Sequence, residues 1–464
     1  MTAFIDRVEA APYPERPALV DSFLNAVPSF PFIEQDTIVH FLYRGVGTNV
    51  TIPGDVNSWD PYSSTMTRIS STDLWYRTEV HPDDARLEYK FLIDYTQWIA
   101  DPNNGYHFGE YANSELRMPA YEPPPEIEYY ADIPHGSLRD TTIHSSILSN
   151  TRTIRIYTPP SYGTSGSENF PLVVFHDGLA YLSTGKANNV LDYLIHRARI
   201  KPVIGVFVPP VNRDAEYWDY QQTQFASFIC NELVPVIDAK YRTLTSPNDR
   251  ATVGISAGSV VALHIAYHHP DVFGKVAAHS GANVENIASY RDGPYQPIQI
   301  YGDAGTYEFY SLDMRELRSA LESKGYTHSY KEWHEGHSWG NWRAHLDNAL
   351  EYLFPGLALS VNNQSKSIPE AFRLEQNYPN PFNPSTSIPY ELPEASFVTL
   401  KIYDMLGREI AVLVQQEFDA GFHKATWNAT GVASGVYICV LQAQALASTS
   451  AKPFIETKKL MLLR

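Results

Sequence analysis

The sequence predicts a multidomain protein in which a central α/β domain, with a mostly parallel sheet covered by helices on both faces, is flanked by two all-β sandwiches. Three observations lead there. The chain has 464 residues, more than one hydrophobic core usually organises. Its apolar pattern changes twice, from period-two alternation to buried strands alternating with amphipathic helices, and back again. Both changes coincide with proline-rich or polar stretches of the kind that separate domains.

Residues 30–120 alternate short apolar and polar runs, as in IVHFLYRG, TNVTIPG, LWYRTEV and LEYKFLID, punctuated by Pro, Gly, Asn and Asp. That is the pattern of a small β-sandwich. Residues 121–136 form a linker around EPPPEIEYYADIP, where consecutive prolines disallow helix and favour extended chain, with a domain boundary near Pro125. In residues 137–355 the strand candidates RTIRIYTP, PLVVFHD, PVIGVFVPP, RATVGIS, KVAAHSG, PIQIYGD and SYKEWHE alternate with helical stretches. Examples of the latter are Phe225 to Tyr241 and MRELRSALESKG, where Gly325 takes a C-cap position. Such alternation implies a largely parallel sheet. A second linker, 356–371, includes SVNNQSKSIPEA, and residues 372–464 return to period two in TLKIYDMLGREIAVLV, HKATWNAT and GVYICVLQA, as a second sandwich would.

Composition narrows the function. With 44% hydrophobic residues and no apolar run near bilayer length, no integral membrane segment is expected. A net charge of −17, with no local Lys/Arg cluster, argues against nucleic acid as a partner. Cys230 and Cys439 lie far apart in apolar runs and read as buried free thiols. The N-terminal run MTAFIDRVEAAPYPERP has no basic region followed by an apolar core, so no signal peptide is read in it.

The chemistry is carried by Gly254-Ile255-Ser256-Ala257-Gly258, a G-x-S-x-G at the end of a β-branched strand and just before the helical run VVALHIAYHH. A sharp strand-to-helix turn needs small residues on both sides of a nucleophile, the arrangement of an α/β-hydrolase elbow. Ser256 then projects from the turn, with the Ala257 amide aimed at a developing oxyanion. The remaining oxyanion donors are expected from His176-Asp177-Gly178-Leu179, with Gly178 and Leu179 as the candidates.

A serine hydroxyl needs a base, and in this fold acid and then base follow the serine in the chain. His264, His268 and His269 belong to the helix after the nucleophile, and His279 ends a strand too early. His337, in EWHEGHSWGNW between the last strand and the last helix, is the expected base; His334 is its competitor and is expected to pack locally. HEGH lacks the HExxH spacing of a zinc site. The acid is expected in GDAGTYEFY, which offers Asp303 and Glu308. Chemistry of this kind requires no metal or organic cofactor.

The run from GISAGSVVALHIAYHHPDVFGKVAAHSG through GTYE to EGHSWGNWR, together with VVFHDG and NRDAEY…FASFICNELVPVIDAKYRT, resembles the esterase family that contains enterochelin esterases, feruloyl esterases and related acyl hydrolases. The resemblance covers nearly all of the middle block. Its acid pattern, G-x-x-[DE], falls on Gly305 to Glu308, which implies Glu308 as the acid with Asp303 in reserve. It also implies that Arg213 and Glu216-Tyr217 border the substrate pocket, with a surface salt bridge as the equal alternative; Arg213, Tyr217 and Trp339 are the substrate-binding candidates. Two departures stand out: Ser259 replaces a second glycine after the elbow, and Glu335 precedes the glycine of the histidine loop.

The first block, in IPGDVNSWDPYSSTMTRI, DLWYRTEV, ARLEYKFLID and WIADPNN, resembles the early-set immunoglobulin-like domain found ahead of enterochelin esterases and glycogen-branching enzymes. Glycogen-binding relatives use exposed aromatics, so Trp59, Trp75 and Trp98 become sugar-binding candidates, with core packing the favoured alternative. The third block, LEQNYPNPFNPSTSIPYELPEASFVTLKIYDMLGREIAVLV through GVYICVLQA to KKLMLLR, resembles the C-terminal sorting domain of the type IX secretion system. That implies export to the cell surface or beyond, the secretion machinery as a partner, and a leader absent from this sequence. The expected protein is an exported serine carboxylesterase acting on feruloyl- or acetyl-type polymer esters. A siderophore ester is the alternative substrate, and a carbohydrate-binding or adhesion protein with an inactive hydrolase domain is the non-enzymatic alternative.

Overall fold

A computed structural model of the chain describes residues 1–109, 112–164, 166–356, 372–374, 377, 380–418, 420–446 and 453–462. The chain divides into two compact units, Met1–Leu357 and Ala358–Arg464. Residues 357–371, which include most of the second linker, lie outside the described residues.

At the centre of the first unit is an eight-stranded sheet. Its strands are β1 (Ser137–Ser145), β2 (Asn150–Thr158), β3 (Leu172–His176), β4 (Ile204–Val208), β5 (Arg250–Ile255), β6 (Lys275–His279), β7 (Gln299–Gly305) and β8 (Thr327–Trp333). They lie in the order β1-β2-β4-β3-β5-β6-β7-β8. Strand β2 is antiparallel to both neighbours, and all later pairs are parallel. Alternate residues of the central strands face opposite cores. Val173, Phe175 and Val253 pack with Leu191, Leu346 and Leu350 of the helices Ala187–His196 and Trp339–Leu353. Leu172, Val174 and Val206 pack with Phe225, Ile229 and Val261 on the other face. Both faces are thus removed from water, which is why these strands read as continuous apolar runs. Strand β1 escaped the sequence reading because it is an edge strand whose exposed side is polar, in SLRDTTIHS.

The block 30–120 lies in the same compact unit as this sheet. Three small sheets enclose a core of Val39, Phe41, Trp75, Leu87, Tyr89, Phe91 and Leu116. Two helices unread in the sequence, Thr2–Ala10 and Arg16–Ala26, cover Leu42, Ile69 and Leu74 with Phe4, Val8 and Val20. The proline-rich segment, expected to be extended throughout, makes a 3-10 turn at Pro125–Ile127 and is docked: Ile127 enters the core beneath helix Ala187–His196, and Glu126 pairs with Arg199. In the second unit, a three-stranded and a four-stranded antiparallel sheet enclose Ile388, Leu400, Trp427, Cys439 and Leu460. Cys230 and Cys439 are buried free thiols.

Candidate active site

Strand β5 ends at Ile255, and the chain turns at Ser256 with φ 50° and ψ −124° before the helix Ala257–His268 begins. Such a conformation is costly for a residue with a side chain and clusters at functional sites. It is made sterically possible by Gly254, where a Cβ would lie 2.0 Å from the carbonyl oxygen of Gly258. The turn is fixed from below, since the Ser256 amide donates to the carbonyl of His279 at the end of β6 over 2.9 Å.

Residues from two neighbouring loops converge on Ser256. His337 lies between β8 and the helix Trp339–Leu353, and its Nε2 is 2.9 Å from the Ser256 Oγ. Its Nδ1 is bonded to Glu308 Oε2, and the other oxygen of Glu308 accepts from the Gly305 amide at 2.8 Å. With Nδ1 protonated toward the carboxylate, Nε2 is left to accept the serine proton. The Glu308 side chain is wholly buried while the imidazole keeps partial access to solvent. Tyr310 and Trp342 hold the ring on two sides, each with its centroid 4.9 Å from that of His337. Neither aromatic carried a sequence signal beyond lying near the motif.

Asp303 is engaged elsewhere. Its Oδ1 is 2.9 Å from Nδ1 of His279 and its Oδ2 accepts from the Tyr301 hydroxyl at 3.0 Å, all beneath the elbow. His264 and His268 face each other on the helix after the elbow, with ring centroids 4.3 Å apart, and burial pushes His264 down to about 4. His334 turns away from His337 and pairs with Asp84 of the sandwich at 2.5 Å.

The candidate oxyanion donors sit at two helix starts. Ala257 opens the helix after the elbow, and Gly178 and Leu179 open the short helix Gly178–Ser183. First-turn amides have no intrahelical acceptor and point their N–H groups outward. Asp177, in the left-handed region at φ 60°, precedes Gly178. Its amide donates to the Tyr217 hydroxyl at 2.8 Å, and its carboxylate accepts two bonds from Arg213 at 2.9 and 2.8 Å. Tyr217 is fully buried. It therefore meets the site through the Asp177 turn and not as a surface facing a ligand. Arg213 neutralises a carboxylate that would otherwise place negative charge beside the candidate oxyanion donors. Trp339 is half-buried and packs edge-on against Tyr181 and Trp342, with centroids 5.2 and 5.5 Å away. Leu179 and Phe309 leave apolar surface exposed on this face.

Of the sandwich tryptophans, Trp75 is core, whereas Trp98 is 45% exposed and Trp59 half-buried. Trp59, Trp98, Lys90 and Asn113 line a concavity of about 350 Å³. The Trp59 indole donates to Asp55 at 3.2 Å, and a Cβ added at Gly336, next to His337, would lie 2.1 Å from the Asp55 Cγ. Asp55, which holds the Trp59 indole, thus adjoins the histidine loop.

Residues 145–353 match the family model described as "Putative esterase", and residues 376–456 match "Secretion system C-terminal sorting domain". The chain is similar to an endo-1,4-beta-xylanase/feruloyl esterase of Xylanibacter ruminicola, 26% identical over 58% of this chain and 40% of the relative. It is also similar to the iron(III) enterobactin esterase of Escherichia coli strain K12, 29% identical over 43% of this chain and 50% of the relative. The chain thus spans half or less of the length of each of these two proteins. Among solved structures, an enterobactin esterase of Shigella flexneri superposes with a TM-score of 0.57 at 21% identity, over 69% of this chain and 94% of that one. At that identity the likeness establishes a shared fold.

Proposed function

We propose, given that residues 145–353 belong to the esterase family matched above, that this protein is an exported serine carboxylesterase with Ser256 as nucleophile, His337 as general base and Glu308 as the orienting acid. The observation that carries this reading is the hydrogen-bonded relay from Glu308 through His337 to the Ser256 Oγ. Ser256 attacks the ester carbonyl while His337 Nε2 takes its proton. The amides of Ala257, Gly178 and Leu179 are the donors for the tetrahedral oxyanion. His337 then returns the proton to the departing alcohol, leaving an acyl-enzyme that water cleaves by the same route in reverse.

The substrate we favour is a feruloyl- or acetyl-type ester of an extracellular polysaccharide. Two observations support it: a relative that joins a feruloyl esterase to a xylanase, and the Trp59–Trp98 concavity on the sandwich, whose aromatic faces suit sugar rings. The match of residues 376–456 to a sorting domain supports export, where such polymers are met. A siderophore ester is the second reading, supported by relatives named for enterobactin.

Replacing Ser256 with Ala removes one hydroxyl from the elbow, and kcat on a nitrophenyl ester is expected to fall on the order of 10⁴- to 10⁶-fold with the circular-dichroism spectrum unchanged. Near-full turnover by the folded variant would exclude Ser256. A parallel assay of feruloyl and acetyl oligosaccharides against a ferric siderophore decides the substrate, with the highest kcat/KM expected on the feruloyl or acetyl sugar.

A further inference from the structure

We infer that the N-terminal sandwich is part of the catalytic apparatus, with Arg86 and Asp55 as positioning residues that hold the loop carrying His337 in register with Ser256. The inference rests on the reading of His337 as the base.

The loop between β8 and the helix Trp339–Leu353 is gripped from the sandwich side at successive points. The Arg86 amide donates to the carbonyl of His334 at 3.1 Å, and Arg86 forms a parallel β-bridge with Glu335. Its guanidinium Nη1 donates to the Ser338 Oγ at 3.1 Å and lies 3.9 Å from Glu335 Oε2. Arg86 thus touches the residues on either side of the Gly336–His337 pair. The acid loop is held from the same domain, since His81 Nδ1 lies 3.0 Å from the hydroxyl of Tyr307, the residue before Glu308.

The loop is also shaped to receive these groups. A Cβ at Gly336 would lie 2.1 Å from the Asp55 Cγ, and one at Gly340 would lie 1.9 Å from the Arg86 Nη1. Both glycines of EGHSWGNW thus fall where the Asp55 and Arg86 side chains of the sandwich fill the space.

The gripping residues are rigid themselves. Arg86 is 1% exposed; burial disfavours its charge, but Glu88, Glu115 and Glu335 hold it charged, above its ordinary range. Its fork reaches Glu88 at 2.9 Å and bonds Glu115 through two nitrogens, and Asn113 fixes Glu88 from behind at 2.8 Å. Asp55 Oδ2 accepts the Glu88 amide at 2.7 Å and Oδ1 accepts the Trp59 indole. A side chain fixed by packing and further hydrogen bonds can hold a partner within the small tolerance that catalysis needs.

The test compares Arg86→Met, Arg86→Lys and Ser338→Ala with His337→Ala in the full chain on a soluble nitrophenyl ester. Arg86→Met is expected to lower kcat about 10²-fold with KM little changed, since a misplacement near 1 Å has that cost. It is also expected to displace the acid limb of the pH profile of kcat, with partial recovery in Arg86→Lys. Ser338→Ala, which leaves the buried carboxylates paired, is expected to lower kcat several-fold and displace the same limb. Should Arg86→Met fail to fold, Ser338→Ala and Gly336→Ala decide the matter. If His337→Ala abolishes turnover while the folded loop and Arg86 variants keep the wild-type kcat and pH profile, the positioning role is overturned and the base assignment stands. Full turnover by His337→Ala would overturn both.

Discussion

Glu308 and Asp303 lie on one strand-to-loop segment, yet their surroundings assign them different tasks. Glu308 presents one oxygen to His337 and the other to a backbone amide, so Glu308→Gln keeps the shape and loses the charge that stabilises the imidazolium in the proposed mechanism. We expect kcat to drop by about 10⁴. Asp303 pairs with buried His279, and Asp303→Asn is expected to lower the melting temperature while costing much less in kcat. Initial rates and thermal scans on both variants check this, and the reverse order would transfer the acid role to Asp303. Asp55 makes a pH prediction. Burial, then the charge of Glu88, raises its carboxyl from 3.8 to about 7, against the opposing effect of Arg86. Between those values the folded state holds a proton that the unfolded state has released, so stability falls as pH rises through this window and levels off above the folded value. Asp55→Asn cannot ionise there. Denaturant unfolding should therefore show wild type losing stability relative to Asp55→Asn as pH rises toward 7, and parallel curves would refute the raised carboxyl.

Among the elements, the five-residue helix Arg213–Tyr217 is too short to be stable alone. It is held by Asn212, whose side chain accepts the Ala215 amide at 3.2 Å, and by the buried pair of Glu216 with Arg152 of β2 at 2.8 Å. Thus anchored, it offers Tyr217 and Arg213 to the Asp177 turn. The sequence motif NRDAEY therefore reads as scaffold for the candidate oxyanion donors, whereas the family resemblance implied a pocket border. Tyr217→Phe leaves the Asp177 amide without its acceptor in a buried place. The expected cost is about 1–3 kcal/mol of stability, with kcat lowered more than KM is changed. A steady-state comparison with wild type is the check, and an unchanged kcat would mean that the Asp177 turn holds without Tyr217.

For the whole molecule, the residues assigned to catalysis all lie in the unit Met1–Leu357. A chain ending at Leu357 is expected to keep its turnover on a small soluble ester, as measured by kcat/KM beside the full chain. Loss of most activity in a folded truncation would mean that the second unit contributes to the site. A chain beginning at Ser137 is expected to behave differently, because it loses Arg86, Asp55 and His81, which grip the loops on either side of Glu308 and His337.

The division between local and long-range information follows the same line. Period and turn chemistry are local, so the parallel core strands and the strand-to-helix turn at Ser256 could be read from consecutive residues. Strand β1 and the two N-terminal helices could not. The first has its polar side in water, and the second bury only a few apolar residues against a partner more than ten residues away in the chain. The choice between Asp303 and Glu308 needed a family pattern in the sequence, because both carboxylates sit at plausible spacing; in the fold the difference is simply which one faces His279 and which one faces His337. The sequence by itself determined the hydrolase layers and the strand-to-helix turn that makes Ser256 the candidate nucleophile, through motifs whose parts are covalently adjacent. Only the tertiary structure decided that Arg86 reaches Ser338 and Asp55 reaches Gly336, across more than 250 residues of chain. Contacts between side chains so distant in sequence leave no periodic trace, and they form only when two separately patterned cores are packed together.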